Sequence, residues 1–444
     1  MNDAAARFLK ISPYVSPPAD MQPSLQGDIH ADVVIIGGGY TGLSTALALH
    51  ERGVASVILE RDFCGYGASG RNAGHLTPTI CKDLPTAVKI FGRETAANLA
   101  CYADFCVENA EQMMRTYGID CDYNQSGNIM SVVHPKQIKP LREATTAATD
   151  LGAKMHFVEP GEMRERGMPK AFLCGAMEEA GGTLHTGKFV SGLRKAALER
   201  GIRIYEQTSV EHIDERRPIR VVTKGGTVTA DKLVMACNAY APELGGAGSR
   251  IAPLYITLFE TSRLSTSQLD AIGGWKGREG VYTAHESMES YRLTAQRTII
   301  GGSKDVQYFY DCAPHNHGGE DDARKMSVLR AFRERFPELA ELPVAHSWAG
   351  WCGFTLDFMP LVGRAPDNPD CFHAIGYNGH GVAQAVTMGG LLADMMLGKE
   401  NPWHKLVFRK PAYMPPKPLR YLSIKFFLTM LNGIDRRLDR KIAR

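Results

Sequence analysis

A chain of 444 residues with 44% hydrophobic and 22% charged residues is ordinary globular material, long enough for two domains with sizeable cores and unlike disordered or fibrous sequence. Ten cysteines without one C-x-x-C pair argue against a zinc site or a disulfide framework and for a reducing, cytoplasmic setting. The net charge of +3 hides an asymmetry, because residues 401–444 hold eleven Lys or Arg against Asp435 and Asp439, +9 locally, which leaves −6 for the other 400. A mildly acidic body with one basic tail does not describe a nucleic-acid binder, and no window approaches the roughly 18 uninterrupted apolar residues of a membrane span.

In chain order, the run Ala31 to Ile36 is nearly all apolar and ends in three glycines, the pattern of a strand buried on both faces of a parallel sheet. Leu43, Ala46, Leu47 and His50 then share one helical face, Gly53 is placed to cap the helix, and Ser56 to Leu59 reads as the next strand. These three elements make a βαβ unit. A polar helix is expected over Ala96–Tyr117, strands over Gly127–Val133, Ile256–Arg263 and Thr298–Gly302, a helix over Val190–Arg200, a strand over Ile202–Glu206, and a hairpin turn at Lys224, Gly225 and Gly226. Pro411, Pro415, Pro416 and Pro418 stiffen a linker before the final segment.

Gly37-Gly38-Gly39-Tyr40-Thr41-Gly42 fits G-x-G-x-x-G between that strand and helix. Absent side chains there let backbone N–H groups, including those of Tyr40 and Thr41, and the helix N-terminus meet a pyrophosphate. Glu60 ends the second strand, eighteen residues after Gly42, where a carboxylate can accept from both hydroxyls of an adenosine ribose, with Arg61 beside it. The turn alone serves NAD and FAD equally. The small-residue loop Gly65 to His75, which contains Ala68, Ser69, Arg71, Asn72 and Gly74, suits a chain passing along a flavin.

The run GASGRNAGH resembles the flavin-contacting loop of the D-amino acid oxidase and glycine oxidase superfamily, in the branch of gamma-glutamylputrescine oxidases and pipecolate oxidase-like proteins. That branch usually has GASGRNGG, so Ala73 departs from it. WAGWCGFTLDFMPLVGR and IGYNGHGVAQAVTMG are similar to the family's closing strand and flavin-facing helix, and the likeness covers roughly residues 28 to 400. It implies an α/β fold: a Rossmann-like FAD-binding domain of the glutathione reductase type (28–84, 150–250 and 340–400) with an inserted antiparallel-sheet substrate domain (85–149 and 251–339), then a Pro-rich linker and a basic amphipathic helix (401–444). It further implies that Ser69, Arg71, Asn72 and Gly74 lie along the diphosphate and isoalloxazine of FAD, that Val210 offers backbone contacts to adenine, and that Asn238 sits in the pyrophosphate turn.

Gly379, His380 and Gly381 open a helix after the strand Cys371 to Ile375, so their amides can face a flavin edge that gains negative charge on reduction. His380 and His75 are candidates to touch flavin or substrate. Arg292 is the candidate fork for a substrate carboxylate, with Tyr291 lining the same pocket; strand alternation puts the two on opposite faces. Cys352 stands where monomeric sarcosine oxidases link a cysteine to flavin, and an unlinked buried thiol is the expectation here. His315 and His317 lack ligand partners at metal-site spacing, so no metal is assigned.

The expected reaction is oxidation of a C–N bond to an imine in a small amine or amino acid (a cyclic imino acid such as L-pipecolate, or a gamma-glutamylputrescine-like diamine), with O2 as acceptor. Two alternatives stand beside it: a membrane-associated dehydrogenase that passes electrons to a quinone, and a FAD-containing module with a structural or interaction role. The quinone reading draws on the C-terminal segment, where Phe427, Leu431, Ile434, Leu438 and Ile442 form one stripe, with Arg436, Arg437, Arg440 and Lys441 largely elsewhere. Such a helix either docks on its own enzyme or attaches peripherally to the inner face of a membrane.

Overall fold

Ile29–Ile36 owes its place to its last four residues, which are all buried: Val33 and Ile35 enter one core while Val34 and Ile36 enter the core on the opposite face. Only a strand covered on both sides can use such a run. The computed structural model describes residues 6–409 and 412–442. In it Ile29–Ile36 lies between Gly226–Met235 and Ser56–Leu59, both parallel to it, and Arg203–Tyr205 extends the parallel set. Cys371–Ile375 joins in parallel on Gly226–Met235, and the hairpin Ile219–Thr223/Gly226–Met235 turns where its glycines predict. Helices Tyr40–Glu51, Thr186–Glu199 and Val382–Met396 cover one face in a shared core.

The second sheet runs Arg7–Leu9, Val344–Phe354, Ala252–Thr261, Ile299–Gly302, Ser290–Leu293, Gly280–Thr283, Asn128–Val132, Cys174–Glu178, Met155–Val158, with Gln307–Tyr308 also on Ala252–Thr261. It is antiparallel except at two junctions, where Arg7–Leu9 meets Val344–Phe354 and Gly280–Thr283 meets Asn128–Val132.

Three expected boundaries move. Met155–Val158 and Cys174–Glu178 fall within 150–250 yet pair with Asn128–Val132 in the second sheet. Val344–Phe354, expected with the nucleotide domain, pairs along its length with Ala252–Thr261. Conversely, Arg93–Thr116 lies in the 85–149 segment but buries Leu99, Tyr102, Cys106 and Val107 in the core under the nucleotide sheet. Each reflects one fact: the period of a strand or helix tells which face is apolar, not which distant element covers it.

The C-terminal helix spans Lys417–Ile442 and docks on the second sheet's side. The Asp435 carboxylate accepts from the backbone N–H groups of Glu286 (2.9 Å) and Ser287 (2.7 Å). Asp439 meets Arg335 (2.7 Å), Lys304 (2.8 Å) and His285 (3.2 Å). Ile424 packs with Leu254 and Tyr308, and Ile442 against the core of the second domain. Phe427, Leu431, Ile434 and Leu438 of the expected stripe border a large cavity, although Phe427 and Ile434 stay 40 and 45% exposed, so only part of the stripe faces the protein itself. A different row, Leu419, Leu422, Phe426 and Met430, faces outward at 61, 63, 73 and 45% exposure, with Phe426 also at the cavity's rim.

Candidate active site

The glycine turn is a packing device before it is a binding device. A Cβ on Gly42 would sit 1.9 Å from the Gly37 carbonyl oxygen, one on Gly37 2.9 Å from that of Ala236, and one on Gly39 2.8 Å from Ser69 Oγ. Gly42 thus lets the helix start tight against the strand and lies off the cavity, while Gly37 and Gly39 leave bare backbone along it. Ser69 Oγ accepts from the Tyr40 amide at 2.9 Å, tying the glycine turn to the 65–75 loop. Glu60 accepts from the amides of Gly38 (2.7 Å) and Asp62 (3.0 Å), and burial raises its pKa.

These residues border one cavity of 1730 Å³, which also takes in Tyr40, Thr41, Arg61, Ala68, Ser69, Arg71, Asn72, Gly74, His75, Val210, Asn238, Cys352, Gly379, His380 and Gly381. The carboxyl ends of the parallel strands meet the second sheet there, the position where open α/β folds bind ligands. Arg71 reaches the cavity wall, but its guanidinium donates to the carbonyls of Tyr66 (2.7 Å), Lys10 (2.7 Å) and Ala349 (3.0 Å), so it rivets the loop to the second sheet. Asn72 likewise braces the loop, donating to Ala68 and Ser69 and accepting from Gly74. Asn238 holds φ at 44° and accepts from the Gly376 amide at 2.8 Å, which joins the two turns after neighbouring strands. Burial pushes the Cys352 thiol up to about 12, so it stays protonated.

Two of the expected catalytic residues are elsewhere. Tyr291 is buried in the second domain's core against Phe172 and Phe336, its hydroxyl on Glu289 at 3.1 Å. Arg292 points to the other face of its strand, as alternation requires, but that face abuts the back of the flavin-loop segment, where Nε donates to the Ala73 carbonyl. Neither borders the large cavity.

His75 and His380 do border it, and burial pushes both down to about 4, so each is neutral near pH 7. Their tautomers differ. Asn128 donates through Nδ2 to the Leu76 carbonyl, which leaves its Oδ1 to accept from His75 Nδ1 at 3.0 Å; His75 Nε2 is then a buried lone pair without a partner. Gln384 donates through Nε2 to the Thr79 carbonyl and to His380 Nδ1, which places the His380 proton on Nε2.

The sequence reading missed Glu178 and Tyr282. Both border the cavity, on strands that flank Asn128–Val132, and the Tyr282 hydroxyl donates to Glu178 Oε2 while Thr79 donates to Oε1 at 3.3 Å. Burial pushes Glu178 up to about 7. No local motif marks these residues, because strand pairing alone brings them together. Lys136, Arg437 and Lys441 add positive charge to the same cavity. At its margin His285, which borders the cavity, comes within metal-ligand reach of Glu289 and Asp439, but Arg335 and Lys304 pair with both carboxylates, which makes the cluster an ion-pair network.

The family model for FAD dependent oxidoreductases (DAO) matches residues 32–395. The gamma-glutamylputrescine oxidoreductase of Escherichia coli (strain K12) is 30% identical over 84% of this chain and 85% of its own. The glycine oxidase of Geobacillus kaustophilus (strain HTA426) is 25% identical over 83% of this chain and 94% of its own. In structure, an L-proline dehydrogenase from P. horikoshii matches with a TM-score of 0.70 at 20% identity, covering 86% of this chain and 96% of that one. The bare glycine backbone, the ribose-side carboxylate and the cavity between the sheets fit a bound dinucleotide, and this chain belongs to the DAO family of FAD-dependent oxidoreductases acting on amine or amino acid C–N groups.

Proposed function

We propose that the chain oxidises an elongated amine that carries a carboxylate some distance from the reacting nitrogen, of the gamma-glutamylputrescine kind, with O2 as acceptor and FAD held without a covalent bond. The observation that carries this is the division of charge in the 1730 Å³ cavity, with Glu178 near the flavin loop and Lys136, Arg437 and Lys441 beside the C-terminal helix, where the acids Asp435 and Glu286 are taken up by backbone amides and by Lys82. Removal of Arg292 from the cavity takes away the fork that a compact α-amino acid would use. Bound FAD supplies the two-electron acceptor for a hydride from the carbon next to the amine nitrogen. Above about pH 7 the Glu178 carboxylate can take a proton from a substrate ammonium, leaving the neutral amine that such a transfer needs. Tyr282 and Thr79 hold that carboxylate in place, and His75 offers a neutral acceptor beside it.

Anaerobic mixing with gamma-glutamylputrescine, L-pipecolate and glycine tests this. The long diamine should bleach the flavin at the lowest concentration and air should restore the colour with peroxide formed; bleaching by none of the amines sinks the proposal. Acid precipitation should release free flavin, whereas colour kept on the protein would mean a bond at Cys352.

The outward row Leu419, Leu422, Phe426 and Met430, with exposed Lys417, Arg436 and Arg440 on the same helix, favours a second reading. In it the helix rests on an anionic membrane surface and a quinone takes the electrons. Slow reoxidation in air and flotation with phosphatidylglycerol vesicles would select it; no helix among the described residues is long and apolar enough to cross a membrane.

A further inference from the structure

A second cavity of 330 Å³ lies behind the flavin-loop segment and shares no lining residue with the first. Tyr14, His185, Glu260, Arg278, Arg292 and His346 form its walls. Arg292 is only 5% exposed, and its Nε is spent on the Ala73 carbonyl. Its two Nη groups have no hydrogen-bond partner, and among the described residues no carboxylate lies within 4.0 Å of it. A buried guanidinium needs its charge compensated, and Glu260 and Asp122 do this only from beyond ion-pair distance. Arg278 likewise has no acid within that distance and touches only Asn124 Oδ1 at 3.4 Å. His346 Nδ1 is a further buried polar atom without a partner.

Two acids share the lining: Asp122 pairs through Oδ1 with Lys188 at 2.7 Å while its buried Oδ2 has no partner, and Glu260 accepts from Thr298 at 2.7 Å. Asp122 has Lys188, but neither guanidinium group has a carboxylate at ion-pair distance, so both remain able to take one from a ligand, and the cavity's size sits at the low end of ligand pockets, roughly 300–1,000 Å³.

We infer that this cavity is a binding site for a small carboxylate, held by the forks of Arg292 and Arg278. It would act on the flavin side through Arg292: a Cβ added to Gly74 would meet the guanidinium at 3.0 Å, so the side chain lies directly against the segment that borders the large cavity. Whatever fixes the Nη end fixes the position of the Ala73 carbonyl.

Titration of the FAD-loaded protein with acetate, followed by calorimetry and by the visible flavin spectrum, tests this. Saturable binding with a dissociation constant of about 1–10 mM and a small spectral shift is expected, weakened about tenfold or more in Arg278→Ala and in Arg292→Lys. Arg278 is half-buried at the cavity's edge, so its variant decides the matter even if Arg292→Lys fails to take up FAD. No saturable binding to the native protein, or binding undiminished in Arg278→Ala, overturns the inference.

Discussion

The nucleotide side and the substrate side of the large cavity are built in opposite ways. The first takes its turn, its carboxylate and its loop from residues 37 to 75, and works mostly through backbone and missing side chains. The second draws Thr79, Lys136, Glu178, Tyr282 and the helix Lys417–Ile442 from five separated stretches and works through side chains. A cradle made of backbone must be continuous in sequence, since one turn supplies adjacent amides. Side chains need only converge in space, and a sheet whose neighbours are distant in sequence lets them.

The contrast breaks most visibly at Gly42. Gly42→Ala should place a Cβ on the Gly37 carbonyl oxygen, cost up to roughly 3 kcal/mol, and leave protein with at least about tenfold less flavin per chain by absorbance. Normal flavin content would mean the turn tolerates side chains.

On the side-chain half, Asp439→Ala should leave Arg335 and Lys304 short of a carboxylate and cost about 2–3 kcal/mol, with faster protease cleavage of the C-terminal helix. The same latch has a pH signature. Its cations hold the Asp439 carboxyl well below the usual range, so its contribution is present above the unfolded value near pH 4 and is lost as pH falls further. Detachment of the helix on acidification that the variant lacks would show it; equal behaviour of both proteins would not fit.

Glu178→Gln should lower kcat/KM about a hundredfold above pH 8 and flatten the rise through about pH 7 that titration of Glu178 gives the native enzyme. Stability should move oppositely. With its pKa raised, Glu178 holds its proton in the folded state when the unfolded chain has lost it, so between about pH 4.5 and 7 native stability falls as pH rises, and Glu178→Gln removes that slope. An unchanged activity profile would exclude Glu178 from proton transfer.

The same division explains what could be read from the chain. G-x-G-x-x-G, Glu60 and the Gly65–His75 loop were legible because spacing along one segment carries their meaning, and Gly37, Gly39, Glu60 and most of the loop border one cavity. Glu178 was not, because its partner Tyr282 lies beyond an intervening strand whose register only the folded sheet sets. The C-terminal helix was legible as amphipathic, yet its docking rests on Asp435 and Asp439, polar residues that a hydrophobic stripe does not predict.

Tyr291 and Arg292 give the smallest and most discriminating effect. Alternation along Ser290–Leu293 does send them to opposite faces: the Tyr291 face packs in the core, and the other face borders the large cavity at Ser290, while Arg292 lies past that edge against the Ala73 carbonyl. The Tyr291 hydroxyl gives Glu289 one bond of 3.1 Å, and Glu289 keeps Arg335 and Lys304 when that bond is lost. Tyr291→Phe preserves the ring packed against Phe172 and Phe336. It should therefore cost about 1 kcal/mol in denaturant unfolding and leave the substrate KM unchanged. A rise in KM with stability intact would return Tyr291 to the substrate side, and would mean that the second sheet opens there when substrate binds.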